Sequence, residues 1–274
     1  IMTWYQFNVG RNTTLVFDQQ GNPGWVALNR VDATGRPSQI LGNIKADGTV
    51  LLINPNGIIF GGSSQVNVGS LIATTHDIAG TSTAAASAFS GTSPNYSLQN
   101  VTANGTSYAF SAPANESSAN DYFMQNGLFV TSAANNNGTT VASGKSAVFV
   151  MGDQTLGSLG GGGIVVQPGA TITANAAGST TSNGYVALIA PTVTNSGALT
   201  ANNGQIILAA GSGIALTEPS STATGVKQAL TAASFAPGTT TVYVNVANGD
   251  SITLAPAVAT RSLTAALPNG GLVT

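Results

Sequence analysis

The apolar residues of this chain occur in short runs, and they do not recur at helical spacing. The runs are rich in Val, Ile, Leu, Thr and Tyr, and Gly, Asn, Pro and Ser separate them. This pattern predicts many short β-strands joined by turns. A sustained i, i+3, i+4 apolar pattern with capping residues, which would indicate helices, is nearly absent. The pattern therefore predicts an all-β protein.

Several strand-like segments repeat along the chain. Residues 183–190 align with residues 203–210, which lie 20 positions later. Two further pairs are similar, residues 169–175 with 197–202 and residues 24–28 with 48–52. Degenerate repeats of about 20 to 25 residues, each with one strand, are typical of stacked solenoid coils. Short alternating strands also suit a sandwich or a barrel, but the near-fixed offset favours a right-handed parallel β-helix, or β-solenoid.

Stacking of such coils would bring equivalent positions into rows. Val186, Leu188 and Ala190 fall on one face of their strand because side chains alternate along a strand. Ile206, Leu208 and Ala210 fall on the same face one repeat later. We therefore expect these residues to form a continuous inner row of the β-helix.

The repeat pattern divides the chain into two regions. Residues 1–218 carry the predicted β-solenoid, which an extra-solenoid insertion interrupts at about residues 79–120. The insertion is rich in Ser, Thr, Ala and Asn and poor in aliphatic residues. It is predicted to contain a small hairpin around Tyr108 and Phe110.

The last part of the chain differs in character from the solenoid. Residues 219–274 are predicted to form a C-terminal β extension packed on the last coil. Within it, residues 226–230 form a weak helical stretch, and residues 241–246 and 251–254 alternate as strands.

Composition narrows the possible functions. Only 6% of residues are charged, the net charge is −2 and 42% of residues are hydrophobic. Such a chain is not disordered, because disorder goes with low hydrophobicity and high net charge. The seven Lys and Arg residues are scattered, whereas nucleic-acid binding requires clustered cations, so no nucleic-acid partner is expected. No cysteine is present, which excludes disulfides and thiol catalysis.

Residues suited to catalysis are few. His76, the only histidine of the chain, lies beside Asp77, but a catalytic triad also needs a positioned nucleophile and oxyanion donors. We expect His76 to be a turn or surface histidine. The nine acidic residues are spread along the chain, unlike the paired carboxylates of glycosidases. The sequence therefore predicts no enzymatic activity, no cofactor and no metal site.

Two glycine-containing segments resemble nucleotide loops only in part. Gly144-Lys145-Ser146 matches the end of a phosphate-binding loop, but Thr139 stands where that motif requires a glycine. The glycine run at residues 160–163 is predicted to be a flexible corner.

The segment Asn54-Pro55-Asn56-Gly57-Ile58 directly follows an apolar strand. Pro55 fixes φ, and Asn56 and Gly57 are residues that tolerate positive φ, so the segment predicts a tight turn. Considered alone, it is a solenoid corner.

The surroundings of this turn point to a family. Together with the stretches at 4–10, 26–31, 37–42, 53–61 and 66–75, it resembles the N-terminal domain of filamentous haemagglutinin, the two-partner secretion (TPS) domain. The resemblance covers roughly residues 1–218. It implies a right-handed parallel β-helix that directs export through a cognate outer-membrane transporter of the Omp85 class. It also makes Asn54, Pro55, Asn56, Gly57 and Ile58 the secretion motif, acting in partner recognition or as a structural turn.

The resemblance implies a location and two possible functions. It implies a secreted protein, extracellular or on the surface of a Gram-negative bacterium. The first function is adhesion to a host or neighbouring cell. The alternative is a subunit that self-associates into an extracellular filament by head-to-tail stacking of solenoid ends. That alternative follows because the sequence begins inside the family domain, without the strands that usually precede the region of Trp4 and cap the solenoid.

Overall fold

The computed structural model describes most of the chain in segments. These are residues 1–81, 99–103, 106–111, 116–128, 130–131, 145–150, 162–175, 184–201, 205–210, 213–218, 231–234, 242–247, 251–253, 265–266 and 272–273. The chain divides into two compact units. The solenoid unit comprises Ile1–His76, Asp153–Gly211 and Thr240–Thr274, and the inserted unit comprises Asp77–Gly152 and Ser212–Thr239.

The described secondary structure consists of strands and a helix. In chain order, the elements are β1 (Met2–Trp4), β2 (Thr14–Phe17), β3 (Val26–Val31), β4 (Ser38–Ile40), β5 (Asn43–Ala46), β6 (Thr49–Ile53), β7 (Ile58–Phe60), β8 (Gln65–Val68), β9 (Ser70–Thr74), β10 (Asp77–Thr81), β11 (Gln99–Ala103), β12 (Thr106–Ser111), α1 (Glu116–Asn126), β13 (Val130–Thr131), β14 (Lys145–Val150), β15 (Ile164–Val166), β16 (Thr171–Ala174), β17 (Tyr185–Ala190), β18 (Val193–Asn195), β19 (Ala198–Ala201), β20 (Gln205–Ala210), β21 (Gly213–Glu218), β22 (Thr231–Ser234), β23 (Val242–Ala247), β24 (Ser251–Thr253), β25 (Ala265–Ala266) and β26 (Leu272–Val273).

The coils of the solenoid unit are built from three sheets. The parallel strands are β1, β3, β6, β9, β17 and β20 in sheet A, β4, β7, β15 and β18 in sheet B, and β2, β5, β8, β16 and β19 in sheet C. Successive coils each add one strand to each sheet: coil 2 is β3–β5, coil 3 is β6–β8, coil 4 is β9, β15 and β16, and coil 5 is β17–β19. In coil 1, an isolated bridge from Val9 to Ile40 stands in place of a sheet B strand. The all-β parallel β-helix predicted from the sequence is confirmed.

The predicted inner row is present. Val186 pairs with Ile206 and Leu188 pairs with Leu208, at the offset read from the repeat. These four side chains are fully buried in the hydrophobic core, with Ala190 beside them.

The similarity of residues 24–28 to residues 48–52 does not give the register of the two strands. Alignment on the shared glycine would place Val26 opposite Val50, whereas the structure pairs Ala27 with Val50. The reason lies in the corner before the strands. The backbone N–H of Thr49 donates to the carbonyl of Trp25 at 2.8 Å, so the ladder starts one residue later than the shared glycine suggests.

The inserted unit is antiparallel. Strand β14 pairs with β10, β13 and β21, and β11 pairs with β12 through Val101 opposite Tyr108. The hairpin predicted around Tyr108 and Phe110 is therefore confirmed. The inserted unit begins at Asp77 and its first segment ends at Gly152. The boundaries at about 79 and 120 and at 218 stay predictions.

Helix α1 was not predicted from the sequence. Its Ser, Asn and Asp residues have weak helix propensity, because their side chains compete for backbone hydrogen bonds. The helix ends at Asn126 and is followed by Gly127, whose φ of 77° lies in the left-handed region. The N–H of Gly127 donates to the carbonyl of Phe123 at 2.8 Å, which is a glycine C-cap.

The C-terminal strands run against the last coils. Strand β23 pairs antiparallel with β20, and β24 pairs antiparallel with β19. Strands therefore lie at Val242–Ala247 and Ser251–Thr253, where the sequence alternates as strands. The packing of the whole segment 219–274 on the last coil stays a prediction. The weak helical stretch at 226–230 lies outside the described residues.

Candidate functional site

The sequence motif forms the corner of coil 3 at which the chain passes from sheet A to sheet B. Asn54 follows β6, and Ile58 begins β7. Asn54, Gly57 and Ile58 are buried, whereas Pro55 and Asn56 are half-buried. The N–H of Gly57 donates to the carbonyl of Asn54 at 3.0 Å, and Gly57 has a φ of 118°. The predicted turn is therefore present, with the glycine at the position of positive φ.

The side chain of Asn54 holds this corner together. Its Oδ1 accepts from the backbone N–H of Asn56 at 2.9 Å and from Asn56 Nδ2 at 2.8 Å. Its Nδ2 donates to the carbonyl of Arg36 at 3.0 Å and to the hydroxyl of Ser38 at 2.9 Å. A side-chain amide has two lone pairs and two N–H groups. All four are used inside the solenoid, and the residue is 0% exposed.

The side chain of Asn56 reaches the corner of coil 2. Its Nδ2 donates to the carbonyl of Asp32 at 2.8 Å, in addition to its bond with Asn54. The Asp32 carboxylate in turn accepts from the hydroxyl and the backbone N–H of Thr34, both at 2.7 Å. These hydrogen bonds, that of the Thr34 hydroxyl first, lower the pKa of Asp32 below its ordinary value. The turn of coil 2 is therefore held by its own hydrogen bonds at Asp32, the residue whose carbonyl Asn56 contacts.

The corner of coil 4 packs directly on the motif. The N–H of Gly162 donates to the carbonyl of Pro55 at 3.0 Å, and the N–H of Ile58 donates to the carbonyl of Gly163 at 3.1 Å. A Cβ atom on Gly162 would overlap the backbone of Asn56 and Gly57. The glycine run at residues 160–163 thus contributes close packing at Gly162 and Gly163, and its first two residues lie outside the described part of the chain.

Ile58 connects the corner to the core. It pairs with Ser38 on one side and with Ile164 on the other, and its buried side chain belongs to the hydrophobic core. The motif therefore joins the corners of three successive coils through hydrogen bonds and packing.

A second polar corner was missed by the sequence reasoning. Gln19 is 4% exposed, and its Nε2 donates to the carbonyls of Trp25 at 2.9 Å and Thr49 at 3.3 Å. Its Oε1 accepts from the N–H of Gly48 at 2.6 Å. One side chain thus links the turns that precede β3 and β6. No local pattern distinguishes Gln19 from the other glutamines of the chain.

His76 lies in the bend after β9, as the turn prediction requires, but the expected surface position was wrong. It is 0% exposed. Its backbone N–H donates to the Thr74 hydroxyl at 2.9 Å, and its Nδ1 lies 3.4 Å from the Thr75 hydroxyl. The carboxylate of Asp77 accepts from the N–H of Ile78 at 2.6 Å. His76 is thus buried in contact with the hydroxyls of Thr74 and Thr75, which is a structural position.

Other candidates for chemistry have no site in the described part of the chain. Lys145 and Ser146 lie on strand β14, where a phosphate-binding loop would need a helix. Within the described ranges, no three His, Asp or Glu residues lie together as a metal site would require.

Comparison with known proteins identifies the N-terminal region. Residues 1–121 match the family described as "TPS secretion domain". Two similar relatives are heme/hemopexin-binding proteins of Haemophilus influenzae, one of them from strain Rd, each 43% identical over 75 residues. The aligned segment is 27% of this chain and 8% of each relative, so the chain spans a small part of their length.

The fold is a parallel β-helix, and residues 1–121 match the TPS secretion domain, the family that the sequence motifs predicted. Proteins with this domain are two-partner-secreted by Gram-negative bacteria, with a partner transporter in the outer membrane. Within the described residues, no helix is long and apolar enough to cross a membrane.

Proposed function

We propose that this chain belongs to a surface protein whose β-helical domain directs export and supports adhesion to a host or neighbouring cell. The match of residues 1–121 to the secretion domain carries the export part of this proposal. The adhesive part has support in the composition. A solenoid surface with 6% charged residues is rich in neutral hydroxyl and amide groups, which suits contact surfaces that do not depend on charge.

Within this function, we infer that the motif acts through its folded corner. Every hydrogen-bonding group of the Asn54 side chain already has a partner in the solenoid, and no part of the side chain is exposed. A transporter could therefore not contact Asn54 in the folded domain without breaking these bonds. The motif would instead make coils 2 to 4 stack correctly as the exported chain folds.

Export can be tested by expressing the chain with its partner transporter and measuring the secreted fraction. We expect secretion to require the transporter and to fall strongly in the Asn56→Ala variant. Asn67→Ala is a matched control, because Asn67 is exposed on the outer face of β8. Secretion without the transporter would refute the export proposal. Equal secretion of both variants would refute the role of the corner while leaving export intact.

The alternative function is a filament subunit that stacks head to tail. In the described residues, β23 and β24 occupy the edges of β20 and β19 that a following copy would use. Stacking on sheets A and C would have to displace both strands. Electron microscopy of the purified chain would test this alternative, and long unbranched filaments at micromolar concentration would support it.

Neither heme binding nor hemopexin binding is transferred from the relatives to this chain. Their printed name refers to heme and hemopexin, but the aligned segment is 8% of their length. The only histidine of this chain is buried between threonines. We therefore propose no heme site here.

The absence of enzymatic activity stays a prediction.

A further inference from the structure

The chain leaves the solenoid unit after His76 and returns at Asp153. Coil 4 is therefore assembled from two distant parts, β9 before the inserted unit and β15 after it. The returning chain has to find the correct position on coil 3. Closing so long a loop has a substantial entropic cost, which the first contacts after the return must offset.

The sequence of β15 does not define its own register. Ile164, Val165 and Val166 are all aliphatic, and so are Ile58 and Ile59 at the start of its partner β7. A slip of one residue turns every side chain of a strand to the opposite face. In most strands a slip would bury polar residues, but here either face of β15 could enter the core. Hydrophobic patterning alone therefore leaves the register of β15 open.

The corner after β6 supplies the missing constraint. The carbonyl of Pro55 accepts from the N–H of Gly162, and the N–H of Ile58 donates to the carbonyl of Gly163. These bonds place Ile164 opposite Ile58 and Val166 opposite Phe60, and all four side chains lie in the core.

Only glycine permits this approach. A Cβ on Gly162 would overlap backbone atoms of Asn56 and Gly57, which cannot move aside as a flexible side chain could. A Cβ on Gly163 would lie 2.6 Å from the Thr192 hydroxyl in the corner of coil 5. Gly163 is thus enclosed between the corner of coil 3, which its carbonyl contacts, and that of coil 5.

We propose that the Asn54–Gly57 corner is the docking platform on which the chain re-enters the solenoid, and that Gly162 and Gly163 are the positioning residues. Coil 3 forms first, and Gly162 docks on Asn56 and Gly57. This contact fixes the register of β15, and β16 follows from it. The motif thus has a second role, in folding, which does not depend on export.

The register can be tested by cross-linking the purified full-length chain, which has no cysteine of its own. Ile59 and Val165 are register partners, and both are half-buried. Partners in adjacent strands lie within disulfide range. The pair Ile59→Cys and Val165→Cys should therefore cross-link on oxidation. The pair Ile59→Cys and Val166→Cys reports a shifted register.

Each cysteine pair is then combined with Gly162→Ala. The control is Gly24→Ala, because Gly24 is exposed and a Cβ there would meet only the Asn22 side chain, at 3.3 Å. We expect Gly162→Ala to abolish most of the native cross-link, and Gly24→Ala to leave it unchanged. A gain of the shifted cross-link would indicate slippage, and a loss of both would indicate failed docking. Both results support the proposal.

Amide hydrogen exchange separates docking from general stability. In the Gly162→Ala variant we expect β15, β16 and β18 to lose protection, while β3 to β8 keep it. Two results would overturn the proposal. One is an undiminished native cross-link in Gly162→Ala, and the other is an equal loss of protection in coils 2 and 3.

Discussion

The side-chain amide of Asn54 donates a 2.9 Å hydrogen bond to the hydroxyl of Ser38, the first residue of β4 in the preceding coil. Both groups are fully buried. Ser38 also donates its backbone N–H to the carbonyl of Gly57 at 2.9 Å. The two corners are therefore locked together by side-chain and backbone bonds at once. Buried polar groups are costly when unsatisfied, so such a contact specifies the stacking of the coils.

Removal of the Asn54 side chain should destabilise the solenoid. Asn54→Ala leaves the Ser38 hydroxyl and the Asn56 N–H without this partner. Each buried group left unsatisfied costs about 1–3 kcal/mol. We expect the urea midpoint of the solenoid unit to fall clearly, as measured by far-ultraviolet circular dichroism. Asn67→Ala serves as the control, and an equal midpoint for the two variants would contradict the role of Asn54.

Gln19→Glu should cause a loss of stability that depends on pH. The carboxylate can still accept from the Gly48 N–H, but the donors to Trp25 and Thr49 are lost. Burial next to two carbonyl oxygens favours the protonated form, so the pKa of the introduced carboxyl group should rise in the folded state. Because its unfolded pKa is about 4.3, stability should fall as the pH rises through that value.

Thermal unfolding at a series of pH values measures this effect. Gln39→Glu is the matched control, because Gln39 is exposed on β4. The difference in melting temperature between the two variants should grow from about pH 3 to about pH 7, the range that spans the unfolded pKa of a glutamate. A constant difference over this range would show that burial of Gln19 does not impose the expected penalty.

The hydroxyl of Thr34 should control the ionisation of Asp32. Thr34→Val removes the hydrogen bond named first among the causes of the lowered pKa. The pKa of Asp32 should therefore move up toward its ordinary value of about 3.9. Thr34→Ser keeps a hydroxyl and should leave the pKa low. Carboxyl carbon shifts in an NMR titration measure both variants, and an unchanged pKa in Thr34→Val would show that the backbone bond suffices.

The sign of the effect on stability follows from the direction of this shift. A lowered folded pKa stabilises the protein above the unfolded pKa, and that contribution is lost as the pH falls through the folded value. Thr34→Val should therefore lower stability at neutral pH and have no such effect in strong acid, where Asp32 is protonated in both states.

The sequence predicted the parts of the fold that repeat. Val186 and Ile206 lie in similar segments, so their shared inward row could be read from the spacing. The pairing of Ala27 with Val50 could not be read in this way, because the length of the corner before β3 shifts the ladder. Local similarity fixes a strand, whereas the register also depends on the turns between strands.

The polar contacts of the site were only partly predictable. The turn at Asn54 to Gly57 could be recognised from its own residues. The partners of its side chains could not, because Asp32, Ser38 and Gly162 lie far away along the sequence. Gln19 has no sequence feature that marks it as buried, since its position follows from the stacking of three coils.

The role of the folded corner in export is tested most directly by the secretion of Ser38→Ala with the partner transporter present. This change leaves the motif intact but removes a hydrogen bond of Asn54, so it separates the folded corner from the motif sequence. If export depends on the folded corner, the secreted fraction of Ser38→Ala should fall with the stability of the solenoid, as in Asn54→Ala but less severely. The opposite result would be secretion of Ser38→Ala at the unmodified level despite a clear loss of solenoid stability, while Asn54→Ala is not secreted. This result would contradict the role of the folded corner. That result would mean that the transporter reads the motif sequence directly.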